Sequence, residues 1–157
     1  MMQRPRLACR STRIGPLKNF TMSQSQKNIP ANTIFLDANV LLEIVLGRDK
    51  EVAARKFIES NDENLCISTL TAHLVVHFGK SIVTLPVLRK LLADYTVLSL
   101  DNADFEWAFT NIRGADFEDA LQIAVAVRNG CSELVTFDKN LASTYRHLPS
   151  IRTKLLN

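Results

Sequence analysis

The chain has 157 residues, 46% of them apolar, with only five glycines and five prolines. That suits one globular domain with an appendage and excludes fibrous and low-complexity classes. No apolar run approaches the roughly 18 residues that span a bilayer, so no membrane attachment is expected.

The net charge of +3 is unevenly held. Arg4, Arg6, Arg10, Arg13, Lys18 and Lys27 fall in residues 1–33, which contain no acid, and this leaves 13 basic against all 16 acidic residues in 34–157. The larger part is therefore slightly acidic, a poor footprint for a general nucleic-acid binder but compatible with an acidic site that needs cations. Cys9, Cys66 and Cys131 are odd in number and lack a C-x-x-C pair. Neither a disulfide framework nor a thiolate zinc site is expected, and the cytoplasm is the natural compartment.

Residues 1–33 are basic, polar and interrupted by Pro5, Pro16 and Pro30, with no apolar core of a secretory signal. They read as a disordered extension, with Met22 a candidate natural start; an organelle transit peptide is the other reading. From Ile34 onward, residues 34–157 read as one domain. Ile34-Phe35-Leu36 predicts a short buried strand ending at Asp37, and Val40–Leu46 a helix stopped by Gly47. Val52–Ser60 is a second helix and Leu65-Cys66-Ile67 a second strand. Ser68 or Thr69 caps a helix running to Gly79, and Leu85–Tyr95 is another. Thr96–Leu100 is a third strand, with a helix from Asp101 through Ile112. Asp116–Asn129 is a long apolar-rich helix stopped by Gly130. Glu133–Phe137 is a fourth strand ending at Asp138, and Asn140–His147 a last short helix. Strands alternating with helices predict an α/β fold, a three-layer α/β/α sandwich around a short, mainly parallel sheet.

Ligand sites in such sheets lie beyond the carboxyl ends of the strands. Asp37 and Asp138 each end a strand, while Asp116 and Asp119 share the first turn of a helix. Each acid alone has an ordinary explanation as a helix cap. Together, four carboxylates brought to one place would raise one another's pKa, and a divalent cation would relieve that conflict. All-oxygen ligands suit Mg²⁺ or Mn²⁺. Asn39 and Thr136 flank the strand-end acids as further oxygen or hydrogen-bonding groups.

Three segments carry a resemblance. Ile34-Phe35-Leu36-Asp37-Ala38-Asn39-Val40-Leu41-Leu42, Asp116-Phe117-Glu118-Asp119-Ala120-Leu121-Gln122 and Thr136-Phe137-Asp138-Lys139-Asn140-Leu141 resemble, in order and spacing, the three motifs of PIN domains. The resemblance covers about residues 34–145. It implies a metal-dependent endoribonuclease, often the toxin half of a type II toxin–antitoxin pair of VapC type. It also implies that Asp37, Asp116, Asp119 and Asp138 are the metal-binding acids, and that the products carry 5′-phosphates. The implied partners are RNA, a small antitoxin and, frequently, a second copy in a homodimer. Ser68-Thr69-Leu70-Thr71-Ala72-His73-Leu74 departs from the pattern, with His73 where many PIN domains carry Glu.

On this reading Asp37 and Asp138 are direct ligands, and Asp116 and Asp119 are a ligand and a water-orienting base in an order left open. Asn39, Ser68 and Thr136 hold the carboxylates. Arg48, Arg113 and Lys139 are candidate RNA-phosphate contacts, each also readable as ordinary solvated charge. A catalytically weakened PIN domain that binds RNA or protein is the alternative. A phosphoacceptor or an aspartate-nucleophile phosphatase fits less well, because the third residue of Asp37-Ala38-Asn39 is not Asp. His73 and His77 have a zinc-chelating spacing but read better as packing or surface residues. Phe105, Trp107 and Phe109 on one helix read as core or as a dimer face, and Glu43 reads as surface.

Overall fold

In a computed structural model of the chain, residues 29–61, 64–114 and 116–157 are described. The expectations for residues 1–28, an extension or a transit peptide, lie outside the described residues. Ile29 already packs against the core and Thr33 is buried, so the chain joins the domain just before the first strand.

Five strands are formed: β1 (Ile34–Leu36), β2 (Leu65–Ser68), β3 (Thr96–Leu98), β4 (Glu133–Thr136) and β5 (Arg152–Leu155). They make one sheet in the order β3-β2-β1-β4-β5, and every pairing is parallel. Between them lie α1 (Ala38–Val45), α2 (Glu51–Glu59), α3 (Thr69–Gly79), α4 (Leu85–Leu92), α5 (Asn102–Asn111), α6 (Phe117–Arg128) and α7 (Lys139–Thr144).

Alternation along each strand sorts the core into two layers. Phe35, Cys66, Leu98 and Leu134 face one side, with Ala108, Ile123 and Leu141 of α5, α6 and α7. Leu36, Leu65, Ile67 and Val135 face the other, with Val40, Ala54, Val75 and Leu88 of α1 to α4. Both faces of the sheet are covered, as a parallel sheet requires. On the second face α3 closes tightly on its neighbours: a Cβ at Gly79 would lie 2.6 Å from Val45 Cγ1 and 3.1 Å from Leu88 Cδ2. Only a residue without a side chain fits there.

β5 is the element that the sequence does not announce. Arg152-Thr153-Lys154-Leu155 lacks an apolar run because it is an edge strand with alternately exposed residues. Its cations instead meet the buried Glu133 carboxylate of β4, Arg152 in direct contact and Lys154 at 3.7 Å. Among the described residues no helix is long and apolar enough to cross a membrane.

Candidate metal centre

The first strand β1 has β2 on one side and β4 on the other. Successive crossovers therefore leave in opposite directions from β1 and β4, and a crevice opens beyond their carboxyl ends. Asp37 and Asp138 lie at that point because each directly follows, or nearly follows, one of these strands.

Asp37 occupies the N-cap position of α1, yet its side chain makes no capping hydrogen bond. Its backbone N–H continues the sheet to Val135 O at 3.0 Å. Its carboxylate turns instead to β4, where Thr136 Oγ1 donates to Oδ2 at 2.7 Å. The same hydroxyl accepts from Asn39 Nδ2 at 2.9 Å and from the Asp138 N–H at 2.8 Å, while Asn39 Oδ1 accepts from the Phe137 N–H at 3.1 Å. One donor and two acceptor positions are all that a hydroxyl has. Thr136 uses all three to lock β1, α1 and the turn after β4 together.

Asp116 and Asp138 do cap their helices. Asp116 Oδ1 accepts from the N–H groups of Glu118 and Asp119 at 3.0 and 3.3 Å. Asp138 Oδ1 accepts from Asn140 and Leu141 at 2.6 and 3.1 Å. In both, one oxygen satisfies the helix start, and the second takes no hydrogen bond among the described residues. Capping and ligation are thus compatible for these two, whereas Asp37 is not a cap.

The acids feel one another. Burial, with the negative charges of Glu118 and Asp138 added, pushes Asp37 up to about 6, against the pull of its Thr136 hydrogen bond. Burial, followed by the charges of Asp116, Asp37, Asp138 and Glu118, pushes Asp119 up to about 7. Asp119 thus senses every other carboxylate of the group. Glu118, which the sequence presents only as a motif filler, is a fifth member: burial and Asp116 raise its pKa. The available signal was its place in the first turn of α6, between two candidate acids.

The donor set is anionic oxygen throughout, which fits a hard divalent cation. Among the described residues no three His, Cys, Asp or Glu side chains stand close enough to hold one ion together. That suits a cation taking one or two carboxylates and completing its shell with water or phosphate.

The remaining candidates divide. Ser68 does not reach the acids: it caps α3 through Thr71 N at 2.9 Å and donates to Gln122 Oε1 of α6 at 2.8 Å. The reason is its strand, since β2 lies one position away from the crevice. Gln122 Nε2 in turn donates to Thr71 Oγ1 at 3.0 Å, so this buried triad ties α6 to α3. Arg48 lies past the far end of α1, about 12 Å of helix from Asp37, and faces Glu43 at 3.9 Å. Glu43 is half-buried and accepts from Lys50 N at 2.9 Å, so it fastens the turn between α1 and α2.

Arg113 and Lys139 are both exposed, Arg113 on the loop before α6 and Lys139 at the start of α7. The Arg113 N–H reaches Tyr145 Oη at 3.5 Å. The Tyr145 hydroxyl, its pKa raised first by burial, also feels Asp119 and Asp116. Lys139 is exposed and directly follows Asp138. His73 and His77 are exposed, with ring centroids 5.8 Å apart.

The PIN domain family matches residues 34–147. Among solved structures, the chain is similar in fold to a toxin–antitoxin complex from Klebsiella pneumoniae (TM-score 0.63, 18% identity, covering 76% of this chain and 95% of that one). It is also similar to DNA-bound VapBC from Salmonella typhimurium (TM-score 0.58, 19% identity, 78% and 97% covered). A third is VapC20 of Mycobacterium tuberculosis, a sarcin–ricin-loop-cleaving toxin (TM-score 0.58, 18% identity, 71% and 94% covered). At such identities the likeness is one of fold. No curated protein matches the chain.

Proposed function

The chain belongs to the PIN domain family, and from that premise we propose that it is a Mg²⁺- or Mn²⁺-dependent endoribonuclease, the toxin of a type II toxin–antitoxin pair. The observation that carries this reading is Asp37. It stands at a helix cap position without capping, buried among other carboxylates and aimed by a hydroxyl from a different strand. A buried carboxylate without a positive partner is costly, which supports a cation as its ligand.

Asp37 and Asp138 would hold the cation directly, with Asp116 meeting it through its water shell; the cation would supply charge neutralisation at the phosphate and lower the pKa of water. Thr136 and Asn39 fix Asp37. Asp116 and Asp138 each spend one carboxylate oxygen on a helix start, which leaves the other for a ligand. Asp119, in the first turn of α6 among the other carboxylates, would take the proton-accepting role toward an attacking water. Arg113 and Lys139 supply cations for the flanking phosphates.

Protein partners are supported by the apolar surface around α3 and α4. Phe78, Ile82, Leu85 and Val87 are all exposed there, beside a groove of about 700 Å³ lined by Val76, Leu85, Pro86, Arg89 and Leu92. Such a surface is normally covered, by a small antitoxin or by the second copy of a homodimer. Cys66 and Cys131 are free thiols, in keeping with a reducing cytoplasm.

The deciding experiment incubates the purified chain with labelled RNA in Mg²⁺, in Mn²⁺ and with a chelator. Cleavage should need the cation and disappear in Asp37→Asn and Asp138→Asn. Cleavage surviving in both variants overturns the reading. RNA bound but never cut, with a metal affinity indifferent to Asp116→Ala, establishes the binding-module alternative that His73 favours.

A further inference from the structure

Cys66 and Cys131 stand 65 positions apart in the chain, yet their Sγ atoms meet at 3.6 Å. Both thiols are free, and both residues are buried in the layer that holds Phe35 and Leu134. Their surroundings differ. Cys66 lies inside β2, whose four residues are all buried and which has β1 and β3 on its two sides. Cys131 lies in the turn that joins α6 to β4, between the exposed Gly130 and Ser132. That turn is built on Gly130, whose φ of 71° belongs to the left-handed region. Three backbone bonds hold it: Gly130 N–H to Val127 O, Cys131 N–H to Ala126 O and Ser132 N–H to Thr33 O, each at 3.0 Å. Opening of the turn bares Cys131, whereas Cys66 needs β2 to leave the sheet. The contact with Cys131, and then burial, raise the pKa of the Cys66 thiol, so Cys66 keeps its proton and is a poor first nucleophile.

We propose that Cys66 and Cys131 are a modification site, where a peroxide joins them in a disulfide that staples β2 to the turn after α6. Cys131 reacts first, as its turn opens. Its thiolate attacks one peroxide oxygen, the O–O bond breaks, and a sulfenic acid forms while the departing hydroxide takes up the proton shed by the thiol. The Cys66 sulfur then attacks the Cys131 sulfur. The S–S bond forms, the S–O bond breaks, and the second hydroxide leaves as water with the Cys66 proton. Two thiols and one hydrogen peroxide give one disulfide and two waters; the sulfurs lose two electrons and the peroxide oxygens gain them. Burial makes the pair slow to oxidise and, once joined, equally hard for a reductant to reach. The bridge is thus a lasting mark of oxidation and not a fast switch. Closing a loop of 65 positions constrains the unfolded chain, so the bridged form resists unfolding. The acidic residues take no part, and the inference stands or falls apart from the ribonuclease reading.

The test uses the full chain with Cys9→Ser, which leaves only these two thiols. Hydrogen peroxide is added to the folded protein, followed by intact mass, peptide mapping without reductant and thermal unfolding. The expected product is a monomer lighter by two hydrogen atoms, with a peptide pair joined through residues 66 and 131. Its melting temperature should exceed that of the reduced form by roughly 5–15 °C, and reduction in denaturant should reverse the shift. Cys66→Ala should leave Cys131 to gain oxygen, and Cys131→Ala should leave Cys66 unreacted, neither with such a rise.

Oxygen gained at either thiol of the parent in place of the bridge overturns the inference. So does a covalent dimer, or a pair of thiols that reacts with peroxide only after unfolding in urea. A bridged chain that melts no higher than the reduced one overturns it too. Mapping of the parent decides the matter even where an alanine variant fails to fold.

Discussion

Thr136 Oγ1 donates to Asp37 Oδ2 at 2.7 Å although 99 positions separate the two residues. The hydroxyl also serves Asn39 and the Asp138 N–H. Thr136→Val keeps the shape and removes all three bonds. It should cost about 1–3 kcal/mol in urea unfolding, the penalty of leaving buried polar groups unsatisfied. Because this hydrogen bond lowers the Asp37 pKa, its loss should move the acid limb of any pH–rate profile upward. Thr136→Ser should restore most of both; an unchanged profile in the valine variant would show that Thr136 does not orient Asp37.

Stability of the metal-free protein should fall as pH rises. Asp37 and Asp119 have folded pKa values of about 6 and about 7, raised from 3.8. The native state then binds more protons than the unfolded chain in that interval. The stabilisation is full below about pH 4 and is lost as pH climbs through 6 to 7. With a chelator present, the melting temperature should therefore drop between pH 5 and pH 8, and less so in Asp119→Asn. Mg²⁺ or Mn²⁺ should stabilise the protein again at pH 8, by about 2.7 kcal/mol at a hundred times the dissociation constant. Equal slopes in the parent and the asparagine variant would remove Asp119 from the coupled group.

Ser68 and Gln122 should matter for folding more than for chemistry. Their bond at 2.8 Å is buried and ties the start of α3 to α6, with no hydrogen bond from Ser68 to an acid among the described residues. Ser68→Ala should lower stability by about 1–3 kcal/mol and leave cleavage per folded molecule within about twofold, by active-fraction-corrected kinetics. A loss in kcat matching that of Asp37→Asn would return Ser68 to the site.

Arg113→Ala and Arg48→Ala should behave differently. The Arg113 N–H meets Tyr145 on the loop leading to Asp116, whereas Arg48 faces Glu43 at the far end of α1. Loss of Arg113 should weaken RNA binding and reduce the slope of log affinity against log salt by about 1. Arg48→Ala should leave that slope alone. Salt titrations of both variants against one RNA decide the matter.

Gly79→Ala should destabilise the domain by about 1–3 kcal/mol through overpacking, since the added methyl meets Val45 at 2.6 Å. Thermal unfolding of this variant beside Val45→Ala, Gly79→Ala identifies the cause: the double variant should recover part of the loss. Simple additivity would show that the contact is relieved by other means.

Much of the fold was legible because its strands are buried on both sides. Ile34-Phe35-Leu36 and Leu134-Val135-Thr136 read as apolar runs, and helix stops such as Gly47 and Gly130 take positive φ values of 59° and 71°. β5 was illegible because its stability comes from pairing to β4 and from charges on Glu133, not from apolar residues of its own. The acids at 37, 116, 119 and 138 were visible as residues at element boundaries, but a cap and a ligand look the same in one dimension.

Local chemistry alone was enough for the alternation of strands and helices, the caps at Asp116 and Asp138, and the motif spacing, because each depends on residues within a turn or two. Three things needed the assembled sheet: that the Asp37 carboxylate is bonded by Thr136, that Glu118 joins the acidic group, and that Ser68 bonds Gln122. Strand order is the reason. Placing β4 beside β1, with β2 on the other flank, brings side chains a hundred residues apart within hydrogen-bond reach, and their burial and mutual charge then follow from position in space.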